Sequence, residues 1–197
     1  MRSIIEATGK RSFLFVSPKP NEGKSFLIIL LAYALSLNNK RVLIIDTNFR
    51  NNSLSNYKNT PFWTNTGDGV GGLVNNWIGT ATEQDSSNSD NYNLRNVDII
   101  GNKGGNQSPS EVLAGKDFER VIRNYSTRYD YIFLEAASMN QYSDAMELMG
   151  FVDKVIAVFS AEATLTGTDR ATLEFLRRID TKFLGGVLNY VDLKNIS

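Results

Sequence analysis

The stretch Phe13-Leu14-Phe15-Val16-Ser17-Pro18-Lys19-Pro20-Asn21-Glu22-Gly23-Lys24-Ser25 constrains this chain more than any other part of it. Its apolar beginning reads as a buried strand and its middle as a short polar loop. Lys24 to Leu37 (KSFLIILLAYALSL) reads as a helix too apolar to face water on any side. Strand, loop and helix in that order can wrap a phosphate around Gly23-Lys24-Ser25. The loop's N–H groups point inward, the helix N-terminus adds partial positive charge, Lys24 reaches the outer phosphates, and Ser25 is left to hold Mg²⁺.

The full pattern for such a loop, G-x-x-x-x-G-K-[ST], asks for glycine at position 18, where this chain has Pro18. A bare Gly-Lys-Ser also arises by chance, as a turn before a helix with a solvated lysine. The apolar strand before it and the apolar helix after it are the context that favours nucleotide binding.

With 197 residues the chain is expected to be one nucleotide-binding domain, residues 1–197, carrying a polar loop or insertion at about 51–96. Lys+Arg and Asp+Glu both number 21, so no strong global field exists for nucleic acid, and none is expected as a partner. There is no cysteine and no histidine. Disulfides, thiolate or imidazole metal sites and Ser-His-Asp catalysis are thereby excluded, and chemistry must use Lys, Arg, carboxylates, hydroxyls and backbone. The longest apolar run, Phe26 to Ala32, falls far short of the roughly 18–20 residues of a membrane span. No signal-peptide core follows Arg2. The chain is expected to be soluble as it stands. A start about a dozen residues before the first core strand and an end soon after the last suit an excised piece of a membrane protein.

Further along, Asn38-Asn39-Lys40 reads as a turn and Arg41 to Asp46 as a second buried strand, which implies a right-handed parallel crossover from the first. Residues 51–96 are rich in Asn, Ser, Thr and Gly, with a short helix expected around Gly72 to Gly79 and an exposed loop from Thr80 to Asn96. Val97 to Ile100 is a short strand. The glycine-rich loop Gly101 to Gln107 is a second candidate for lining a site, and Ser108-Pro109-Ser110-Glu111 opens a helix with a capping box. Helix Phe118 to Tyr125, strand Tyr131 to Glu135, helix Ser143 to Gly150, strand Lys154 to Phe159, helix Thr168 to Arg178 and strand Phe183 to Asn189 complete the alternation, with Gly185-Gly186 read as allowing close packing. Six strands alternating with helices predict an α/β fold: a doubly wound, mostly parallel sheet with helices on both faces.

In such a fold ligands sit beyond the carboxyl ends of the strands. Three such ends converge here: the Gly23-Lys24-Ser25 loop, Asp46 and Glu135. Together they supply the parts phosphoryl chemistry needs, namely a lysine on the outer phosphates and Mg²⁺ held by Ser25, Asp46 and Glu135. Each carboxylate taken alone is as well explained by a helix cap or a surface turn.

These residues, taken in order, resemble the cytoplasmic ATPase/tyrosine-kinase domain of bacterial polysaccharide co-polymerases, the bacterial tyrosine (BY) kinases, over nearly the whole chain. Ser17-x-x-Pro20-x-Glu22-Gly23-Lys24-Ser25 looks like that family's Walker A loop, which makes Pro18 a normal variant. Leu43 to Arg50, followed by Ser53-Leu54, looks like its Walker A′ motif, usually Asp-x-Asp-x-Arg. Gly72-Leu73, Asn106 to Leu113, Tyr129 to Glu135 (Walker B), Asp144-Ala145 and Gly186 to Asn189 match its later landmarks.

The resemblance implies ATP or ADP with Mg²⁺ as cofactors. It implies Ser17, Pro20, Asn21, Glu22, Gly23, Lys24, Ser25 and Asn189 as nucleotide-binding residues, and Lys24, Asp46, Asn48 and Glu135 as the catalytic positions. It further implies a polysaccharide co-polymerase membrane region, on the same or a separate chain, as partner at the inner face of the bacterial membrane, with self-association open.

Three departures bear on activity. Asn48 stands where the family has a second Asp, Glu135 where it has the Walker B Asp, and Ala136-Ala137-Ser138 where prolines usually follow. Losing one charge about 4 Å from another at an effective dielectric near 20 removes roughly 4 kcal/mol before solvent screening. An added methylene at Glu135 shifts a near-attack geometry. Kinase turnover is therefore expected to be weakened and nucleotide binding kept.

Only Tyr190 stands after Asn189 where the family has a tyrosine cluster, and no arginine-bearing helix of the kind the family uses for ring assembly is expected before the first strand; either those segments lie outside this piece or this member lacks them. Tyr125, Tyr129, Tyr131 and Tyr142 read as core or surface aromatics. Lys19 lies five residues before Lys24, the spacing at which partitioning and septum-placement ATPases carry a lysine that acts across a dimer. The alternatives left open are a partitioning-type dimerising ATPase and a fully active protein-tyrosine kinase.

Overall fold

The computed structural model describes residues 1–55, 96–102, 104–113 and 117–192. The helix expected around Gly72 to Gly79, the Gly72-Leu73 landmark and most of the polar loop lie outside them.

Six strands form one sheet, and every pairing in it is parallel. They are β1 (Ser12–Val16), β2 (Val42–Asp46), β3 (Val97–Ile100), β4 (Tyr131–Glu135), β5 (Lys154–Ser160) and β6 (Phe183–Asn189). Their spatial order is β3-β2-β4-β1-β5-β6, so β1 and β2 run parallel with β4 between them. The helices are α1 (Arg2–Ala7), α2 (Lys24–Ser36), α3 (Pro109–Leu113), α4 (Phe118–Tyr125), α5 (Asp144–Leu148) and α6 (Asp169–Arg178). Of these, α1 is a short helix before β1 not expected from the sequence, and its Arg2 pairs with Glu6 one turn on at 3.7 Å.

Strands β1, β2 and β4 are buried at every position, which is why they read as unbroken apolar runs rather than alternating ones. Successive side chains point to opposite faces and feed two cores. On one face Leu14, Leu43, Ile132 and Val155 pack with Phe118 of α4 and Phe175 of α6. On the other, Phe13, Phe15, Ile44 and Phe133 pack with Ile28 and Leu35 of α2, and Phe133 meets Phe13 and Phe15 edge-on at 6.0 and 5.2 Å. Full burial of each such side chain contributes roughly 1.5–3 kcal/mol.

Helix α2 departs from the expectation that no side of it faces water. Phe26, Leu30, Tyr33 and, at its C-terminal cap, Leu37 lie on one stripe and are 43–66% exposed. A sheet face is covered by one layer of helices, so the half of α2 turned from the sheet is left outward however apolar it is.

The expected capping box forms in both directions. Glu111 N donates to Ser108 Oγ at 3.3 Å and Ser108 N donates to Glu111 Oε2 at 2.6 Å. The α5 turn is shorter than Ser143 to Gly150 and tightens into a 3₁₀ turn over Met149–Phe151. The two β6 glycines serve different ends. A Cβ on Gly186 would sit 3.1 Å from the Phe159 ring, whereas one on Gly185 meets nothing, and Gly185 instead takes φ +150° at a register shift against Val155/Ile156.

Candidate functional site

The loop between β1 and α2 turns twice through left-handed backbone, at Asn21 (φ 62°) and Gly23 (φ 87°). Asn is one of the few side chains that tolerate this conformation, and glycine adopts it without strain. Buried Glu22 staples the loop by accepting from Lys19 N at 3.0 Å. Gly23 is the N-cap of α2, so the helix starts with its N–H groups turned toward the loop. Lys24 is buried, and its Nζ donates to Ser17 Oγ at 2.8 Å, which in turn donates to the Lys19 carbonyl at 2.6 Å. Burial pushes the Lys24 ammonium pKa down, while Glu135 and Glu22 pull it back up.

Beside the lysine, Ser25 Oγ donates to Glu135 at 2.8 Å from Oε1 and 3.0 Å from Oε2, and meets Ser53 Oγ at 2.8 Å. Burial pushes the Glu135 carboxyl up to about 7; Lys24 and the Ser25 hydroxyl oppose this and the Asp46 charge adds to it. Glu135 and Asp46 end β4 and β2 in direct register. Asp46 nevertheless does not line the cleft. Its Oδ1 accepts from Asn48 N at 3.1 Å and its Oδ2 from Ser55 N at 2.9 Å and Ser55 Oγ at 2.7 Å, and burial pushes it up to about 6. Asn48 does line the cleft, with its Oδ1 taken by Asn51 N at 3.0 Å.

The cleft over these groups has a volume of about 330 Å³. Pro20, Asn21, Gly23, Lys24 and Ser25 form one wall, and Asn48, Arg50, Ser53 and Glu135 stand on others. Ser17, Glu22 and Asn189 support it from behind. Asn189 Nδ2 donates to Glu22 O at 3.3 Å and lies where a Gly23 Cβ would come within 2.0 Å of it. The loop Gly101 to Gln107, read as a second lining segment, instead buttresses the segment after β2. Asn102 Nδ2 donates to Asp46 O at 2.8 Å and Asn102 N to Ser55 Oγ at 2.7 Å.

Several lining residues were not singled out from the sequence as site residues. Arg50 stacks its guanidinium 4.5 Å over the Tyr142 ring, has Asp144 at 3.7 Å and donates to Asn106; Ser138, Gln141 and Tyr190 also line the cleft. Only tertiary structure brings the segment after β4 and the end of β6 to this place. Alanine replacing proline after Glu135 has a local consequence, because Ala136 N donates to Phe15 O at 3.0 Å and extends the β1/β4 ladder, which proline cannot do.

The donor set fits a phosphate ligand with Mg²⁺. A serine hydroxyl and a carboxylate are hard oxygen ligands, and among the described residues no group of three or more acidic, His or Cys side chains could hold a metal alone. Mg²⁺ bound by so few protein ligands takes its remaining oxygens from phosphate and water.

No family profile matches the sequence. The chain is 28% identical over 188 residues to CapB of Staphylococcus aureus, assigned as a tyrosine-protein kinase, covering 95% of this chain and 78% of that protein. It is 25% identical over 194 residues to the succinoglycan biosynthesis transport protein ExoP of Rhizobium meliloti, covering 98% of this chain but only 24% of ExoP. The crystal structure of the chimerical protein CapA2B2 superposes with a TM-score of 0.71 at 23% identity, over 96% of this chain and 81% of that one. The septum site-determining protein MinD of Pyrococcus horikoshii, complexed with Mg-ADP, superposes with a TM-score of 0.60 at 21% identity, over 90% and 69%. These two likenesses carry the fold. The chain is similar over nearly its whole length to bacterial tyrosine-protein kinases and shares the parallel-sheet α/β fold of CapA2B2 and MinD.

Proposed function

We propose that this chain is the ATP- or ADP-binding domain of a bacterial exopolysaccharide or capsule chain-length regulator, tyrosine-kinase-like, with turnover weakened and nucleotide binding kept. The observation that carries the reading is the buried Lys24 ammonium, which faces Ser17 Oγ and lies next to the Ser25–Glu135 pair in an open cleft. A buried cation of lowered pKa gains most from an anionic ligand, and the αL cap at Gly23 supplies the N–H cradle.

In this reading residues 17–25 hold the phosphates, and Ser25 and Glu135 hold Mg²⁺, which would screen phosphate charge when bound. Asp46, with its oxygens turned to Asn48 and Ser55, positions the segment carrying Asn48, Arg50 and Ser53. Asn48 brings no charge to the cleft, and this is the proposed source of weak turnover. The domain works at the inner face of the membrane, through a co-polymerase membrane region on its own or a partner chain. Among the described residues no helix is long and apolar enough to cross a membrane. The partitioning-type alternative gains no support from Lys19, whose Nζ donates to Thr164 O at 2.6 Å and pairs with Asp169 at 3.1 Å within its own chain.

Calorimetric titration of ATP with and without Mg²⁺, on wild type and Lys24→Ala, tests the proposal. Wild type is expected to bind more tightly with Mg²⁺ and Lys24→Ala to lose at least tenfold. Equal binding by both proteins, or none by wild type, overturns it. For turnover, Asn48→Asp combined with Glu135→Asp is expected to raise ATP-dependent tyrosine phosphorylation above wild type, and full activity of the wild type refutes the weakened-turnover part.

A further inference from the structure

Three aromatic side chains are exposed among the described residues, Phe26, Tyr33 and Tyr190, and two of these, Phe26 and Tyr190, line the cleft. Phe26 follows Ser25 directly and is 58% exposed. Tyr190 follows β6 and is 48% exposed. Its hydroxyl hangs over the phosphate-binding turn, 3.3 Å from where a Gly23 Cβ would stand. Its backbone takes φ 54°, a left-handed conformation that few non-glycine residues hold without being over-determined by their surroundings. The surroundings here are the preceding Asn189, whose amide is hydrogen-bonded to Glu22 O. Tyr190 is thus turned toward the cleft by a strained backbone instead of following the strand direction into solvent.

We infer that Phe26 and Tyr190 form a base-stacking subsite for a nucleoside triphosphate, flanking the P-loop at Gly23. The inference rests on the reading of residues 17–25 as a phosphate cradle and deepens it by assigning what holds the other end of the ligand. Two aromatic faces left in water beside a phosphate site lose little by remaining exposed in the free protein and gain by covering a planar base. Stacking tolerates any base, because each presents a π-face, so this subsite supplies affinity with weak choice between adenine and guanine.

The test compares ATP with inorganic tripolyphosphate, a probe that carries the phosphates and no base, by calorimetry on wild type, Tyr190→Ala, Tyr190→Phe and Phe26→Ala. Tyr190→Ala and Phe26→Ala are each expected to weaken ATP on the order of tenfold and to leave tripolyphosphate within twofold, and Tyr190→Phe to rescue ATP binding. GTP is expected to bind wild type within about fivefold of ATP. Parallel loss of both ligands in the alanine variants, or no loss of either, overturns the subsite while leaving the phosphate cradle standing. Tighter ATP binding by Tyr190→Ala overturns it as well, since the ring would then be an obstacle. A wild type that binds neither ligand overturns the cradle and the subsite together.

Discussion

Asp46 and Glu135 end neighbouring strands in register, yet their carboxylates meet different partners. Glu135 faces Lys24 and the Ser25 hydroxyl in the cleft; Asp46 is turned away and accepts from three donors on the chain that follows it. Asp46→Asn replaces one acceptor oxygen with an N–H₂ group, so the amide meets Asn48 N or the Ser55 donors head-on. We expect a loss of about 2 kcal/mol, the cost of leaving buried donors unpaired, read as a lower urea midpoint at unchanged m-value. Glu135→Gln can still accept from Ser25 Oγ and relieves a carboxylate that burial has pushed up to about 7, but it also takes an opposite charge from the buried Lys24 ammonium, so its loss is expected to be present and smaller than that of Asp46→Asn. Equal losses in the two variants would refute this division. Both residues were legible as strand-end carboxylates. Which of them reaches the cleft was not, because the donors that claim Asp46 sit at Ser55, nine residues on, and nothing in the spacing announces them.

At the scale of elements, the β1–α2 loop and β6 are fitted to each other through Gly23. An alanine there combines strained φ with a Cβ 2.0 Å from Asn189 Nδ2. Gly23→Ala is expected to cost about 1–3 kcal/mol from the backbone alone and to weaken ATP as the Asn189 side chain is displaced. Gly150→Ala, with open space around its Cβ, is expected to stay within about 0.5 kcal/mol in the same denaturation assay. The strands were readable because both faces of each central strand are buried, and the capping box because its partners lie three residues apart. Helix α2 was readable as a helix but not in its orientation. With apolar residues on every side, no pattern says which face meets the sheet, and the exposed stripe from Phe26 to Leu37 emerged only from the packing. The sheet order had the same limit, since β4 inserts between β1 and β2 from some 85 residues further along.

At the scale of the whole molecule, the carboxyl-end loops are tied together by polar contacts that span the chain, and the Asp169 knot is one of those that reach the β1–α2 loop. Asp169 is buried at the start of α6. It accepts from Asn140 Nδ2 at 2.7 Å and from Thr166 N and Oγ1 at 2.5 and 2.8 Å, and it pairs with Lys19 at 3.1 Å, joining the β1–α2 loop, the segment after β4 and the β5–α6 loop. Burial alone would raise its pKa; the donors from Thr166, Asn140 and Lys19 outweigh that and hold it well below the ordinary carboxylate range. For a carboxylate depressed in the folded state the contribution to stability is complete above the unfolded pKa, near 4, and is lost as pH falls through the lower folded value. Asp169→Asn keeps the shape and sets an amide against Thr166 N, so it is expected to lower stability by about 2 kcal/mol at pH 7. That deficit should hold constant down to about pH 4 and shrink below it, as the carboxylate takes up its proton in the unfolded wild-type chain while it stays ionised in the folded one. Urea denaturation of both proteins from pH 7 to pH 3 reads the difference directly. A gap that stays fixed across the acid range, or opens further, would mean that the charge on Asp169 is not what ties the β1–α2 loop to α6.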